Sequence, residues 1–97
     1  MGVSDAALVD FCTRHQVAEL SIFGSILRDD FRPDSDVDIL FELRPDQRMS
    51  IEKYLLMHDD LMSLFNARRI HLVEKPFLRN PVRRESILAS RRVLYAA

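Results

Sequence analysis

Residues 36–42 read Asp-Val-Asp-Ile-Leu-Phe-Glu, and this stretch decides the fold. Its short run of apolar and β-branched side chains predicts a β-strand. Asp36 and Asp38 are two residues apart, so their side chains project from one face with Cβ atoms roughly 6–7 Å apart. Two like charges on a strand repel unless a cation neutralises them. The pattern predicts a Mg²⁺ or Mn²⁺ site, although an acidic pair after a turn also fits an ordinary exposed strand end.

A second strand is predicted upstream, over residues 17–23, and it stops at Gly24. Gly24 and Ser25 then open a short helix over residues 25–30. Glycine allows a ligand to approach the backbone closely, and a helix start offers free N–H groups. Because the Ser25 hydroxyl adds a donor, we predict a phosphate-binding site at Gly24 and Ser25.

The remaining elements are read from caps and apolar periodicity. Ser4 and Ser50 are predicted to cap helices over residues 5–15 and 51–65, and Asn80 with Pro81 to begin a last helix that runs to Tyr95. A third strand is predicted over residues 69–75. The order αβαβαβα predicts an α+β fold with helices packed on a small sheet. The apolar positions of the 51–65 helix are predicted to cover that sheet: Ile51, Tyr54, Leu55, Leu61, Leu64 and Phe65.

The composition fits a single domain over residues 1–97, because the chain is 47% hydrophobic and 30% charged with only two glycines. Its apolar runs are too short for a membrane span, and its start lacks the build of a signal peptide. We therefore expect a cytoplasmic protein. The single Cys12 lies among apolar residues and is predicted to be a buried, inert thiol.

Charge is divided unevenly along the chain. Residues 1–65 carry 6 Lys/Arg and 13 Asp/Glu, whereas residues 66–97 carry 8 and 2. Such a division fits either an acidic site with a separate anion or partner surface, or two halves that neutralise each other across the fold. The net charge of −1 disfavours direct binding of nucleic acid.

The spacing of these motifs resembles the signature of the DNA polymerase β-type nucleotidyltransferases, in which Gly24-Ser25 precedes Asp36-x-Asp38 by ten residues. More narrowly, the chain is similar to the minimal nucleotidyltransferases (MNT), which are antitoxin partners of HEPN-domain toxins. Arg28 matches the Gly-Ser-x-x-Arg form of that family. The resemblance covers nearly the whole chain.

The resemblance implies a mixed three-stranded sheet flanked by helices. It implies that Gly24 and Ser25 hold ATP, with Arg28 as a contact to the triphosphate. It also implies that Asp36 and Asp38 hold two Mg²⁺ ions. The implied reaction transfers AMP to a tyrosine hydroxyl of a HEPN toxin and silences it. A transferase acting alone on a small molecule or on RNA is disfavoured, because the chain is too small to supply its own acceptor domain.

The chain departs from that family on the third strand, where a third carboxylate is usual and this sequence has His71. A neutral imidazole suits Mg²⁺ poorly but accepts a proton near neutral pH. Three interpretations of His71 follow. It acts as a catalytic base or as a softer metal ligand, or it marks a chain that has lost catalysis and only binds its partner. In the third, His71 does not correspond to the family's third carboxylate position. Glu42 and Glu74 are predicted to lie too far from Asp38, or on the wrong face, to replace the acid.

Five arginines lie on or near the predicted last helix: Arg79, Arg83, Arg84, Arg91 and Arg92. They fit a surface for a toxin or its RNA, a clamp on nucleotide phosphates, or a solvated face. The absence of interleaved aromatic residues weakens the single-strand nucleic-acid reading.

Overall fold

The structure is a computed structural model that describes residues 4–24, 37–65, 69–77 and 79–97. Three helices and four strands are described: α1 (Asp5–Arg14), β1 (Val17–Phe23), β2 (Val37–Leu43), α2 (Ile51–Phe65), β3 (Ile70–Glu74), α3 (Pro81–Ser90) and β4 (Arg92–Ala96). The strands form one sheet in the order β3-β2-β1-β4. β1 is antiparallel to β2 and β4, whereas β3 is parallel to β2. The predicted α+β class with a small mixed sheet is confirmed.

The predicted helix starts are confirmed by their capping bonds. The Ser4 hydroxyl accepts a hydrogen bond from the Ala7 N–H at 3.2 Å, and the Ser50 hydroxyl accepts one from the Lys53 N–H at 3.1 Å. The Asn80 side chain accepts from the first turn of α3, in which Pro81 is the first residue. Each cap satisfies N–H groups that no helical carbonyl can reach.

The two faces of the sheet pack against different elements. The larger core joins one face to α1 and α2 and includes Val37, Ile39 and Phe41 of β2. On the other face, Leu40 and Phe23 pack against Ile87 of α3. Since side chains alternate along a strand, Asp38 shares the face of Leu40 and lies on the α3 side.

The sheet has a fourth strand where the sequence predicted helix. α3 ends at Ser90, and Arg91 takes an extended conformation with φ −65° and ψ 154°. β4 then pairs with β1, placing Val93 beside Ser21 and Tyr95 beside Leu20. The edge of β1 offers backbone N–H and C=O groups as hydrogen-bond partners. Val93 and Tyr95 have side chains that favour strands, so pairing with β1 outweighs the helical pattern of this segment.

Helix α2 covers the sheet with fewer of its apolar residues than predicted. Met57 and Leu61 are fully buried, whereas the exposed fraction is 83% for Ile51 and 56% for Leu55. The apolar arc of α2 is therefore wider than its contact with the sheet. None of the helices that the structure describes combines the length and the apolar character of a membrane span.

An ion-pair network joins α1 to α2. Asp60 accepts from the Arg14 guanidinium at 3.0 Å, and its carboxylate lies 2.6 Å from Nε2 of His15. The bond from His15, with a smaller contribution from Arg14, lowers the pKa of Asp60. Beneath this network Cys12 is buried, and burial raises the pKa of its thiol to about 12. The predicted burial of Cys12 is confirmed, and the raised pKa is in line with an unreactive thiol.

We expect Asp60→Asn to lower the free energy of unfolding by about 0.5–1 kcal/mol near pH 7, because the pairs it removes are partly solvated. A lowered folded-state pKa stabilises the protein above the unfolded value of about 4, and this contribution disappears as the pH falls through the folded-state pKa. The difference in stability between the native chain and the variant should therefore begin to shrink below about pH 4 and close as the pH falls through the folded-state pKa.

Urea unfolding between pH 3 and pH 8 measures this difference. Asp46→Asn in the exposed loop before α2 is the matched control and should match the native chain throughout. A gap of constant size from pH 3 to pH 8 would show that the Asp60 carboxylate does not stabilise the α1–α2 contact electrostatically.

Candidate functional site

The candidate site lies at the end of the sheet where β1 stops and β2 and β3 begin. β2 is the middle of these three strands, and its Asp38 is paired with Phe23 of β1 on one side and with His71 of β3 on the other. Gly24 directly follows Phe23. Strand pairing therefore brings together three residues that are far apart in the sequence: Gly24, Asp38 and His71.

Gly24 makes room for the Asp38 side chain. Its φ of +75° lies in the left-handed region, which favours glycine. A Cβ atom built on Gly24 would lie 2.2 Å from Oδ2 of Asp38, far inside van der Waals contact. The Asp38 carboxylate is thus seated directly against the backbone at the end of β1, with an exposed fraction of 21% for its side chain.

His71 meets the same carboxylate from the other side. Its Nδ1 lies 3.2 Å from Oδ1 of Asp38, and its side chain is 56% exposed. His71 therefore lies on β3 directly beside Asp38. The family resemblance predicted a third carboxylate at this sequence position. The imidazole presents a polar group to both the carboxylate and the solvent.

Three predicted site residues, Ser25, Arg28 and Asp36, lie outside the described residues. Their predicted roles stay predictions. Asp36 precedes Asp38 by two positions in the sequence, and the strand as described begins at Val37. Of the predicted site residues, the structure places Gly24, Asp38 and His71 and brings them together.

Glu42 and Glu74 do not take the place of a third acid. Glu74 is paired with Phe41, three positions beyond the Asp38–His71 pair, and lines a groove against α2. Burial there raises the pKa of Glu74. Glu42 is four residues beyond Asp38 and is paired with Glu19. Since a strand rises about 3.3 Å per residue, neither side chain reaches Asp38.

The donor chemistry of this site fits a divalent cation that accepts both oxygen and nitrogen. Asp38 supplies carboxylate oxygen and His71 supplies imidazole nitrogen, a mixture that Mn²⁺ tolerates better than Mg²⁺. Among residues 4–24, 37–65, 69–77 and 79–97, no group of three His, Cys, Asp or Glu side chains gathers at one point. The sequence predicts that Asp36 supplies a further carboxylate ligand to this cation.

The arginines of the C-terminal region do not form one helical face. Arg91 follows α3 and Arg92 begins β4. Arg91 bonds to the Glu19 carboxylate, which also lies 3.6 Å from Nζ of Lys75. Arg84 donates to the Lys75 carbonyl. Arg91 therefore neutralises Glu19, an acid in the other half of the chain. For this arginine the interpretation that the two halves neutralise each other holds.

An exposed apolar groove, which no sequence motif predicted, lies between α2 and β3. The groove has a volume of about 620 Å³ and is lined by residues that include Phe41, Met49 and Leu72. The sequence did contain one indication of an exposed apolar surface. Ile51 and Leu55 lie one turn apart and make the apolar arc of α2 wider than a single sheet contact requires.

Comparison with known proteins agrees with this geometry. The nucleotidyltransferase domain family model matches residues 6–94. A solved structure described as a minimal nucleotidyltransferase has 26% identity and a TM-score of 0.71, over 91% of this chain and 86% of that one. A search of curated protein sequences found no match.

Two further solved structures are toxin–antitoxin complexes. One contains AMP-PNP and has a TM-score of 0.73 at 13% identity, over 98% of this chain and 75% of that one. The other contains a tri-AMPylated HEPN toxin of Shewanella oneidensis with its MNT antitoxin, at a TM-score of 0.65 and 14% identity over 96% and 70%. At these identities the likeness concerns the fold.

The mixed sheet and its flanking helices, with Asp38 near the start of β2, define a nucleotidyltransferase fold. Because the family model matches nearly the whole chain, this protein belongs to the nucleotidyltransferase domain family. The solved structures that it resembles are nucleotidyltransferases of the MNT type and their complexes with toxins.

The seating of Asp38 against Gly24 predicts a strong coupling between the two residues. Gly24→Ala should lower the free energy of unfolding by about 3 kcal/mol, of which about 1–2 kcal/mol reflects the left-handed backbone and the rest the contact with Asp38. In an Asp38→Ala background the same substitution should cost only about 1–2 kcal/mol.

A double-mutant cycle by urea unfolding measures this coupling. Ser21→Ala, which changes a residue of β1 outside the contact, is expected to show additivity with Gly24→Ala and serves as the control pair. Additivity of Gly24→Ala with Asp38→Ala would mean that the carboxylate does not press on the backbone at Gly24.

Proposed function

We propose that this protein transfers AMP from ATP to a tyrosine hydroxyl of a HEPN-domain toxin and thereby acts as an antitoxin. The observation that carries the proposal is the Asp38 carboxylate held against the Gly24 backbone, at the position where the sequence motif predicts metal and phosphate binding. Family membership supports the transferase class, and the likeness to toxin–antitoxin complexes supports the partner.

The transfer is a substitution at phosphorus. The acceptor oxygen forms a bond to the α-phosphorus of ATP, the bond between the α-phosphorus and the bridging oxygen breaks, and pyrophosphate leaves. A divalent cation bound at Asp36 and Asp38 would neutralise charge on the phosphates. The chain itself orients the nucleotide, with Gly24, Ser25 and Arg28 as the proposed phosphate contacts.

We assign His71 the role of general base in this proposed reaction. The hydroxyl must lose its proton as the oxygen attacks, and an exposed imidazole beside Asp38 can accept it. The hydrogen-bonding distance to Asp38 also fixes the orientation of the ring, because Nδ1 faces the carboxylate and Nε2 is then directed away from it. We therefore propose Asp36, Asp38 and His71 as the catalytic set.

A second function is supported by the same contact. An Asp38 carboxylate that is already paired with His71 needs no metal for its stability, so the fold can persist without catalysis. In that case the protein is an antitoxin that neutralises a HEPN toxin by binding alone. The two functions share a partner and differ only in turnover.

Intact mass spectrometry of the toxin distinguishes them. A HEPN-domain protein from the same genome is incubated with this chain, ATP, and either Mg²⁺ or Mn²⁺. We expect an AMP-sized gain in mass that requires the divalent cation, which Asp36 and Asp38 would hold. Asp38→Asn should slow this gain by at least about 100-fold, since the residue would touch the reacting centre.

Two further variants complete this experiment. Asp46→Asn, which changes an exposed carboxylate outside the site, should react like the native chain. If the native chain gives no gain in mass but His71→Asp does, the protein is an antitoxin that acts by binding. If neither chain modifies or binds the toxin, the proposed function is wrong.

A further inference from the structure

The groove between α2 and β3 contains one carboxylate, that of Glu74. The other side chains that line the groove are apolar or aromatic, apart from Ser50, and its volume is about 620 Å³. The Ser50 hydroxyl already caps α2 by accepting a hydrogen bond from the Lys53 N–H. Among the residues that the structure describes, none donates a hydrogen bond to Glu74 or forms an ion pair with it. The groove therefore holds a partly buried acid without a partner.

A carboxylate in this position is costly for the fold. Burial removes water from Glu74 and raises its pKa, so the charged form that is present near neutral pH lowers the stability of the folded chain. A cation from outside the chain would restore the missing interaction, because a hydrogen bond between charged groups is about twice as strong as one between neutral groups. The groove thus fits a cation on an apolar stem, which Lys and Arg side chains provide.

The outer side of α2 presents apolar side chains next to acids. Ile51 and Leu55 lie one turn apart, with exposed fractions of 83% and 56%. Beside them, the exposed Glu52 and Asp59 lie seven positions apart and so project from one side of the helix. We call the groove together with these four residues the α2 face.

The cations near the α2 face do not balance its acids. Lys53 lies about 200° around α2 from the first residue of the helix, which lines the groove, so it projects from the opposite side. Lys75, which follows β3, is engaged in an ion pair with β1. Arg48 is exposed in the loop before α2, and His58 lies 3.9 Å from Asp59. The three carboxylates of the α2 face therefore outnumber the basic groups beside them.

We propose that the α2 face binds a basic amphipathic helix of a partner protein. Apolar side chains at intervals of three and four positions on that helix enter the groove and pack against Leu55, as helices do in apolar grooves. A Lys or Arg side chain forms an ion pair with Glu74, and further basic residues face Glu52 and Asp59. A second copy of this chain would bring further acids to the face instead. The proposal does not depend on the transfer of AMP.

Binding of a designed peptide tests this proposal. The probe is a fluorescein-labelled helical peptide with leucines at intervals of three and four positions and lysines on either side of them. Its fluorescence anisotropy is measured as the full chain is added up to about 200 µM. We expect saturable binding of this lysine peptide. A peptide with glutamates in place of the lysines, and a lysine peptide of scrambled order, should each bind at least about 10-fold more weakly.

Two results of this titration would contradict the proposal. If the lysine peptide does not bind, the α2 face is not a site for a basic helix. If the glutamate peptide or the scrambled peptide binds as tightly as the lysine peptide, neither the charge nor the helical spacing of the partner is recognised.

Glu74→Gln separates the proposed ion pair from general attraction between opposite charges. It should weaken binding of the lysine peptide about 10-fold, because it removes the charge that the anchoring lysine meets and keeps the size of the side chain. Glu85→Gln is the matched control, since it removes the same charge from an exposed position on α3. It should change the affinity by less than about twofold. Equal effects of the two substitutions would rule out the contact with Glu74.

Urea unfolding shows whether the loss of binding is separate from the loss of the fold. Glu74→Gln should be at least as stable as the native chain near neutral pH, because it removes an unpartnered charge whose pKa is raised by burial. A less stable variant would show that Glu74 has a stabilising partner within the chain, and the proposal would then be wrong.

Leu55→Asn tests the apolar part of the α2 face. It should weaken binding of the lysine peptide about 5- to 10-fold, because the leucine is exposed in the free chain and loses its packing against the bound helix. Val82→Asn is the matched control, because Val82 is a 77% exposed apolar residue on α3. If Leu55→Asn binds the peptide like the native chain, the helix does not lie on the α2 face.

Discussion

The structure depends on the register of β2 between β1 and β3. Val37, Ile39 and Phe41 enter the core formed with α1 and α2, and the alternation of the strand then directs Asp38 to the opposite face. A slip of one residue would turn Asp38 toward the core formed with α1 and α2 and move Val37, Ile39 and Phe41 to the α3 face, so the apolar packing specifies one register. Asp38 is thus positioned by residues that take no part in chemistry.

The same register determines the neighbours of Asp38. Phe23 and His71 are its partners on the two adjacent strands, and the end of β1 brings Gly24 against its carboxylate. A site made at the ends of strands can combine acid, imidazole and backbone from three separate parts of the sequence. Changes at Gly24 therefore affect stability and the candidate site together.

The candidate site and the apolar groove lie in different parts of the molecule. The candidate site lies at the starts of β2 and β3 on the α3 side, whereas the groove lies toward the other ends of these strands beside α2. Substitutions in the groove therefore change residues that do not contact Asp38 through the pairs described above.

The sequence by itself determined the helix starts and the strands β1, β2 and β3, because caps and alternation are local signals. From motif spacing it also predicted the residues of the candidate site, of which the structure brings Gly24, Asp38 and His71 together. Ser4, Ser50 and Asn80 act as caps, and the resemblance named the family. Only the tertiary structure decided that residues 92–96 form a strand, because the pairing partner is the distant edge of β1. It also decided that Ile51 and Leu55 face outward, because the sheet covers only part of the apolar arc of α2. The contact of His71 with Asp38 likewise required the parallel pairing of strands 33 residues apart, which no local pattern encodes.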